Sequence, residues 1–197
     1  MWPWEHLAFG YLLYSVAVHA VAGRSPEGRR VLVLALATQV PDLVDKPLAW
    51  SLDVFAVGYG AAHSALVVVP ALCVAGVVAH RRDRGQRALA AYAVGHCSHL
   101  VGDLVYPVLR GDPLPLGRVL WPLSSFPGPE TEAGLVERAL YYLARYLYQL
   151  LTLDLAPLVV VQVGLVAAVG LLWLADGAPG PLAAWRLLTD PLRRTGR

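Results

Sequence analysis

The sequence predicts an all-α fold: a multi-pass transmembrane helical bundle of about five membrane segments plus an amphipathic interfacial helix. Three observations predict it. Of the 197 residues, 57% are hydrophobic and only 15% charged, where an ordinary soluble domain carries about 25% charged residues. Mean hydropathy is +0.53. Several apolar runs approach the roughly 20 residues needed to cross about 30 Å of hydrocarbon. This composition excludes disordered, coiled-coil and nucleic-acid-coating proteins. A net charge of +2 gives no bulk attraction for DNA or RNA, so membrane lipid is the expected environment and no nucleic-acid partner is expected.

Taken in order, the expected segments are Leu7 to Gly23, Val31 to Val44, Ala61 to Ala79, Ala88 to Leu109 and Leu150 to Ala175. The first has no basic region before it and no clean small-residue cleavage site after it, so it is expected to remain in the mature chain rather than act as a signal peptide. The second is the shortest and carries Pro41, which removes a backbone donor and tends to stop a helix. Between the fourth and fifth, a Pro/Gly-rich stretch (Gly111-Asp112-Pro113-Leu114-Pro115, then Phe126-Pro127-Gly128-Pro129) precedes a helix from Glu130 to Gln149. There Tyr141, Tyr142, Tyr146 and Tyr148 mix with Glu137, Arg138 and Arg145, as expected at a membrane–water boundary. Trp2, Trp4, Trp50 and Trp121 read as further boundary anchors. After Asp176 comes a tail with a short amphipathic piece, Trp185-Arg186-Leu187-Leu188. The expected organisation is a membrane domain over 1–125, the Tyr-rich helix and last segment over 126–176, and a basic tail over 177–197. Cys73 and Cys97 lie in apolar runs and form neither a metal nor a disulfide framework.

Basic residues are unevenly distributed among the loops. Arg24, Arg29 and Arg30 follow the first segment, Arg81, Arg82, Arg84 and Arg87 the third, and Arg186, Arg193, Arg194 and Arg197 the fifth. By the positive-inside rule these loops are cytoplasmic. The expected localisation is the cell membrane, with the N-terminus outside and the C-terminus cytoplasmic.

Ionisable residues inside apolar segments are costly and commonly mark function. His6 precedes the first segment, Asp42 and Asp45 close the second, His63 opens the third, and His96, His99 and Asp103 lie on the fourth. At about 100° per residue, His96, His99 and Asp103 share one helical stripe. The expected topology brings His6, Asp42, Asp45, His63, His99 and Asp103 to one membrane face. Imidazole and carboxylate together suit a divalent cation, zinc above all, with manganese or iron as alternatives; the donors are too many for one tetrahedral ion, and five or six side chains would hold two metals. Against this stands a purely structural hydrogen-bonded network, since Asp after Pro is an ordinary turn residue and His/Asp pairs one turn apart form plain hydrogen bonds. His19 and His80 read as bystanders. His96 suits either a partner orienting His99 or a satisfied core histidine, and Asp154 either a further site group or a structural partner of the helix break at Pro157.

The order His6; Pro41-Asp42-Leu43-Val44-Asp45; Gly60-Ala61-Ala62-His63-Ser64; Gly95-x3-His99-Leu100-x2-Asp103; Trp121-Pro122 resembles the YdjM-like family of membrane-bound metal-dependent hydrolases, over roughly residues 1–125. The resemblance implies a metal-binding core of Asp42, Asp45, His63, His99 and Asp103. One departure matters: the family has His-Arg-Gly before its His-Ser, and here Gly58-Tyr59-Gly60 keeps only the last glycine. A more distant likeness to zinc-dependent phospholipase C and related nucleases, which present His-x3-Asp pairs to clustered zinc, makes phosphoester hydrolysis the natural chemistry. The expected function is therefore metal-dependent hydrolysis of a lipid-linked ester or phosphoester at the outer membrane face, with His6 as a further ligand and no residue standing out as general base. The alternative is a non-enzymatic membrane protein, either a metal or proton transporter or a metal-stabilised scaffold.

Overall fold

The computed structural model describes residues 1–82, 85–124, 134–152 and 157–194. Every helix and strand assigned among them is helical: α1 (Pro3–Ala22), α2 (Gly28–Ala37), α3 (Val40–Trp50), α4 (Ala65–Arg81), α5 (Gln86–Leu109), a 3-10 turn at Leu116–Arg118, α6 (Leu135–Leu151), α7 (Pro157–Ala175) and α8 (Pro181–Arg194). The all-helical expectation holds. The expectation of a multi-pass transmembrane bundle does not: among the described residues no helix is long and apolar enough to cross a membrane.

The reason lies in how the apolar runs are cut. The expected second segment is two helices, because α2 stops at Ala37 and Thr38 turns its hydroxyl back onto the Ala35 carbonyl at 2.8 Å. α4 has 17 residues and α7 has 19, short of the roughly 20 apolar residues a crossing needs. α1 and α5, with 20 and 24 residues, have the length. However, they spend it on Glu5, His6, Ser15 and His19 in the first and on Arg87, His96, Ser98, His99 and Asp103 in the second. The Tyr-rich helix is present as α6, and Phe126–Pro129 and Asp154 lie outside the described residues.

The described chain forms two compact units, the first of Met1, Val40–Val74 and Leu100–Gly164, the second of Trp2–Gln39, Ala75–His99 and Leu165–Arg197. In the second unit, Pro3 starts α1 where its missing N–H costs nothing, and Glu5 Oε2 accepts the Trp2 amide at 2.8 Å. Gly23 closes α1 in the left-handed conformation at φ 59°, which glycine adopts without a Cβ penalty. Ala8, Tyr11, Tyr14, Val31, Leu34, Ala91 and Val169 make the core. α1, α2 and α5 approach closely because Gly10 and Gly95 lack side chains. A Cβ on Gly95 would lie 2.7 Å from the Leu34 carbonyl oxygen and 2.9 Å from Ala37 Cβ. Beside this core, Asp176 accepts hydrogen bonds from Tyr11 and Ser15 hydroxyls, both at 2.6 Å, and pairs with His19 Nε2 at 2.7 Å. His19 is thus the partner of a buried carboxylate.

In the first unit, α3 packs against α6, and the Arg138 guanidinium lies over the Trp50 ring. Gln162 on α7 donates to the Tyr106 hydroxyl at 3.0 Å, which satisfies the one amide side chain of that apolar helix. The loop after α3 folds tightly onto it: a Cβ on Gly60 would sit 2.4 Å from the Phe55 ring, so only glycine fits.

Candidate metal centre

α3 carries Asp42 and Asp45 three residues apart, so both project from one side of the helix. They meet different partners. Asp45 is fully buried, and its carboxylate accepts the backbone amides of Gly60, Ala62 and His63 at 2.8, 3.1 and 2.8 Å. It also bonds His63 Nδ1 at 2.8 Å. Burial alone would raise the Asp45 carboxyl, but the bonds from the His63 ring and the Ala62 and His63 amides outweigh it and hold the group below the usual carboxylate range. Asp45 thereby shapes the loop that delivers His63 and fixes the proton of that imidazole on Nδ1.

With Nδ1 occupied, His63 presents Nε2, which lies 3.4 Å from Asp42 Oδ1 and 3.7 Å from Asp103 Oδ2. His99 and Asp103 are one turn apart on the unbroken α5. His99 is held in the same manner as His63, its Nδ1 donating to the Thr38 carbonyl at 2.7 Å, which leaves Nε2 as its ligand atom. Asp42, His63, His99 and Asp103 each offer one ligand atom, and these atoms lie within 4.8 Å of one another. Such a buried cluster could hold a metal ion. In tetrahedral zinc sites with N and O bonds of about 2.0–2.2 Å, neighbouring ligand atoms are about 3.3–3.6 Å apart; the His63–Asp42 separation sits at that spacing and the His63–Asp103 separation lies just beyond it.

Around the four donors stand groups that tune charge and position. Lys46 pairs with Asp42 Oδ2 at 2.5 Å. The Met1 amine lies 3.4 Å from Asp103 Oδ1. Arg118 donates to the Asp103 carbonyl at 3.0 Å and lies over the Tyr59 ring, 5.0 Å from its centre, while Tyr59 meets His63 edge-on at 4.9 Å. Ser64 donates to the Trp121 carbonyl, tying the His-Ser step to the Trp-Pro step.

Of the six residues the sequence singles out, four supply the donor group and Asp45 braces one of them. His6 is buried and stacks on the His99 ring, centroids 3.7 Å apart and planes within 11°, so it packs against a donor. His96 bonds the Tyr92 hydroxyl at 3.2 Å, which favours the satisfied core histidine. Sequence reasoning did not single out Lys46, Tyr59 or Arg118 for the site. Lys46 carries a signal in hindsight, one turn after Asp42 on the same helix; Arg118 reaches the site only through the fold.

These features define an all-helical protein with a buried His/Asp cluster able to take a divalent ion. The chain belongs to the family of YdjM inner membrane proteins, whose model matches residues 1–178. No curated protein and no solved structure matches it.

Proposed function

We propose that this chain is a metal-dependent hydrolase of a lipid-linked ester or phosphoester, with Asp42, His63, His99 and Asp103 holding a divalent ion, zinc by preference. One observation carries the reading: both imidazoles are committed at Nδ1 to an oxygen acceptor, and His63 turns Nε2 toward two carboxylates in a group that also contains His99. Metal-binding histidines are held in this way, and two nitrogens with two carboxylate oxygens are a zinc-type donor set. When bound, the ion supplies Lewis acidity toward a scissile carbonyl or phosphoryl oxygen.

Asp45 orients His63, and His6 keeps water from one face of His99. Residues 58–60 lack the arginine that the family's pattern has there, and Arg118 brings a guanidinium to Tyr59 instead. A guanidinium beside the donor group suits an anionic ester, because its fork pairs with phosphate oxygens. Membership of an inner membrane protein family favours lipid-borne substrates.

The test is the metal content of the purified protein beside His99→Ala and Asp42→Ala, followed by turnover of phosphoester and lipid ester panels. Stoichiometric transition metal in the parent, lost in both variants, together with metal-dependent turnover, supports the reading. Metal without turnover points instead to a metal-stabilised scaffold, and a parent that takes up no metal on refilling removes the site altogether.

A further inference from the structure

Charge is divided sharply between the two units. The second contains eleven of the sixteen Lys and Arg residues, all arginine, and five of the fourteen Asp and Glu, a net of +6; the first is left at −4. Within the second unit, several of the described arginines gather at one end. A Cβ on Gly10 would touch Thr38 and Ser98, so these positions of α1, α2 and α5 share one level. From there Gly95 meets Leu34 and Ala37, and Ala91 joins Val31 and Tyr14 in the core. The three helices therefore run together, α1 forward to Gly23, α2 back to Gly28 and α5 back to Gln86. That end carries Arg24, Arg29, Arg81, Arg82 and Arg87, all exposed.

α8 is fastened to the same end by its small residues. Gly28 lies against Gly180 and Ala183, where a Cβ would come within 3.1 Å of each. The turn before α8 is pinned by Trp173 Nε1 donating to the Pro179 carbonyl at 2.9 Å and by Asp176, which accepts from Tyr11 and Ser15 of α1. With its alanine side spent on α2, α8 turns Trp185 and Leu188 outward, 65% and 71% exposed, beside an exposed Arg186.

We propose that this basic end is a docking surface for an anionic lipid bilayer, with α8 lying in the plane of the interface. Trp185 and Leu188 enter the headgroup–acyl boundary and the arginines meet lipid phosphates. An amphipathic helix with exposed tryptophan and leucine flanked by arginine suits that boundary, and clustered arginines are drawn to anionic headgroups. A second copy is disfavoured by charge, since one cluster of exposed arginines would face another.

The test places a benzophenone amino acid at position 188 of the full chain, reconstituted in vesicles of phosphatidylcholine alone or mixed with phosphatidylglycerol. After irradiation, phospholipid-mass adducts should dominate in the mixed vesicles. Their yield should fall about fivefold for each arginine removed by Arg29→Gln or Arg186→Gln, the factor that corresponds to about 1 kcal/mol per arginine at such a surface. Both are exposed side chains, so helix content should not change. Equal lipid adducts in the two vesicle types, or no adduct in either, overturn the proposal. A cross-linked protein dimer in place of lipid adducts, persisting when the labelled chain is mixed with unlabelled chain, assigns the face to a second copy and also overturns it.

Discussion

Asp42 and Asp45 stand three residues apart on α3, one supplying an oxygen to the donor group and the other bracing His63 from behind. Asp45→Asn keeps the size but removes the charge, and its amide nitrogen cannot accept the donors that now converge on the carboxylate. With all four donor residues intact, metal affinity should fall about 10–100-fold, as when such outer partners are lost elsewhere. A chelator-competition titration measures this, and unchanged affinity would show that Asp45 does not orient His63. Asp176 allows a second prediction. Burial alone would raise its carboxyl, but the bonds from Ser15, Tyr11 and His19 prevail and hold it below its ordinary range. A depressed folded-state value stabilises the fold above the unfolded carboxylate value of about 3.9 and loses that contribution as pH falls through the folded one. Thermal stability should therefore drop below about pH 4 by less in Asp176→Asn than in the parent, and parallel curves would exclude the linkage. At this scale His99 and Asp103 were legible, because a turn's spacing on one helix fixes a shared face. The division of labour between Asp42 and Asp45 was not, since it depends on where the 58–63 loop lands. Nor was the stacking of His6 on His99, which is set by how two helices cross.

The crossing of α1, α2 and α5 depends on atoms that are missing. Gly95→Ala gains about 1 kcal/mol of helix propensity but drives a methyl against the Leu34 carbonyl and Ala37. Backbone cannot give way as a flexible side chain can, and overpacking costs about 1–3 kcal/mol, so the clash wins and the melting temperature should fall. Gly170→Ala on α7 is the matched control. A Cβ there meets nothing within 4 Å, so propensity acts alone and the melting temperature should rise. A drop in both variants, or a rise in both, would contradict the contact argument. Most helices were legible from the apolar runs, because hydrophobic residues cluster wherever a face is buried. Their ends were less so. A run's length does not reveal that Thr38 will turn back on Ala35, or that the polar stripe of α5 will spend the helix on a site, and for that reason counting apolar residues led to crossings that the described helices do not support.

At the scale of the molecule, the donor group draws on α3, the turn before α4 and α5, stretches of chain up to 61 residues apart in sequence from Asp42 to Asp103. An unfolded chain holds no such arrangement, so a bound ion stabilises only the folded state. At a free concentration 100-fold above its dissociation constant the gain is about 2.7 kcal/mol. For a chain of this length each kcal/mol moves the midpoint by about 2–4 °C, so saturating zinc should raise the melting temperature by about 5–11 °C, and chelator should reverse it. Asp42→Ala removes one donor and leaves Lys46 without its carboxylate, so its own melt should be lower and its response to zinc mostly lost. This contrast separates binding at the cluster from generic effects of the ion, because those would shift parent and variant alike. A parent whose melting temperature ignores both zinc and chelator would mean that the His/Asp cluster is a hydrogen-bonded network of the fold and holds no metal.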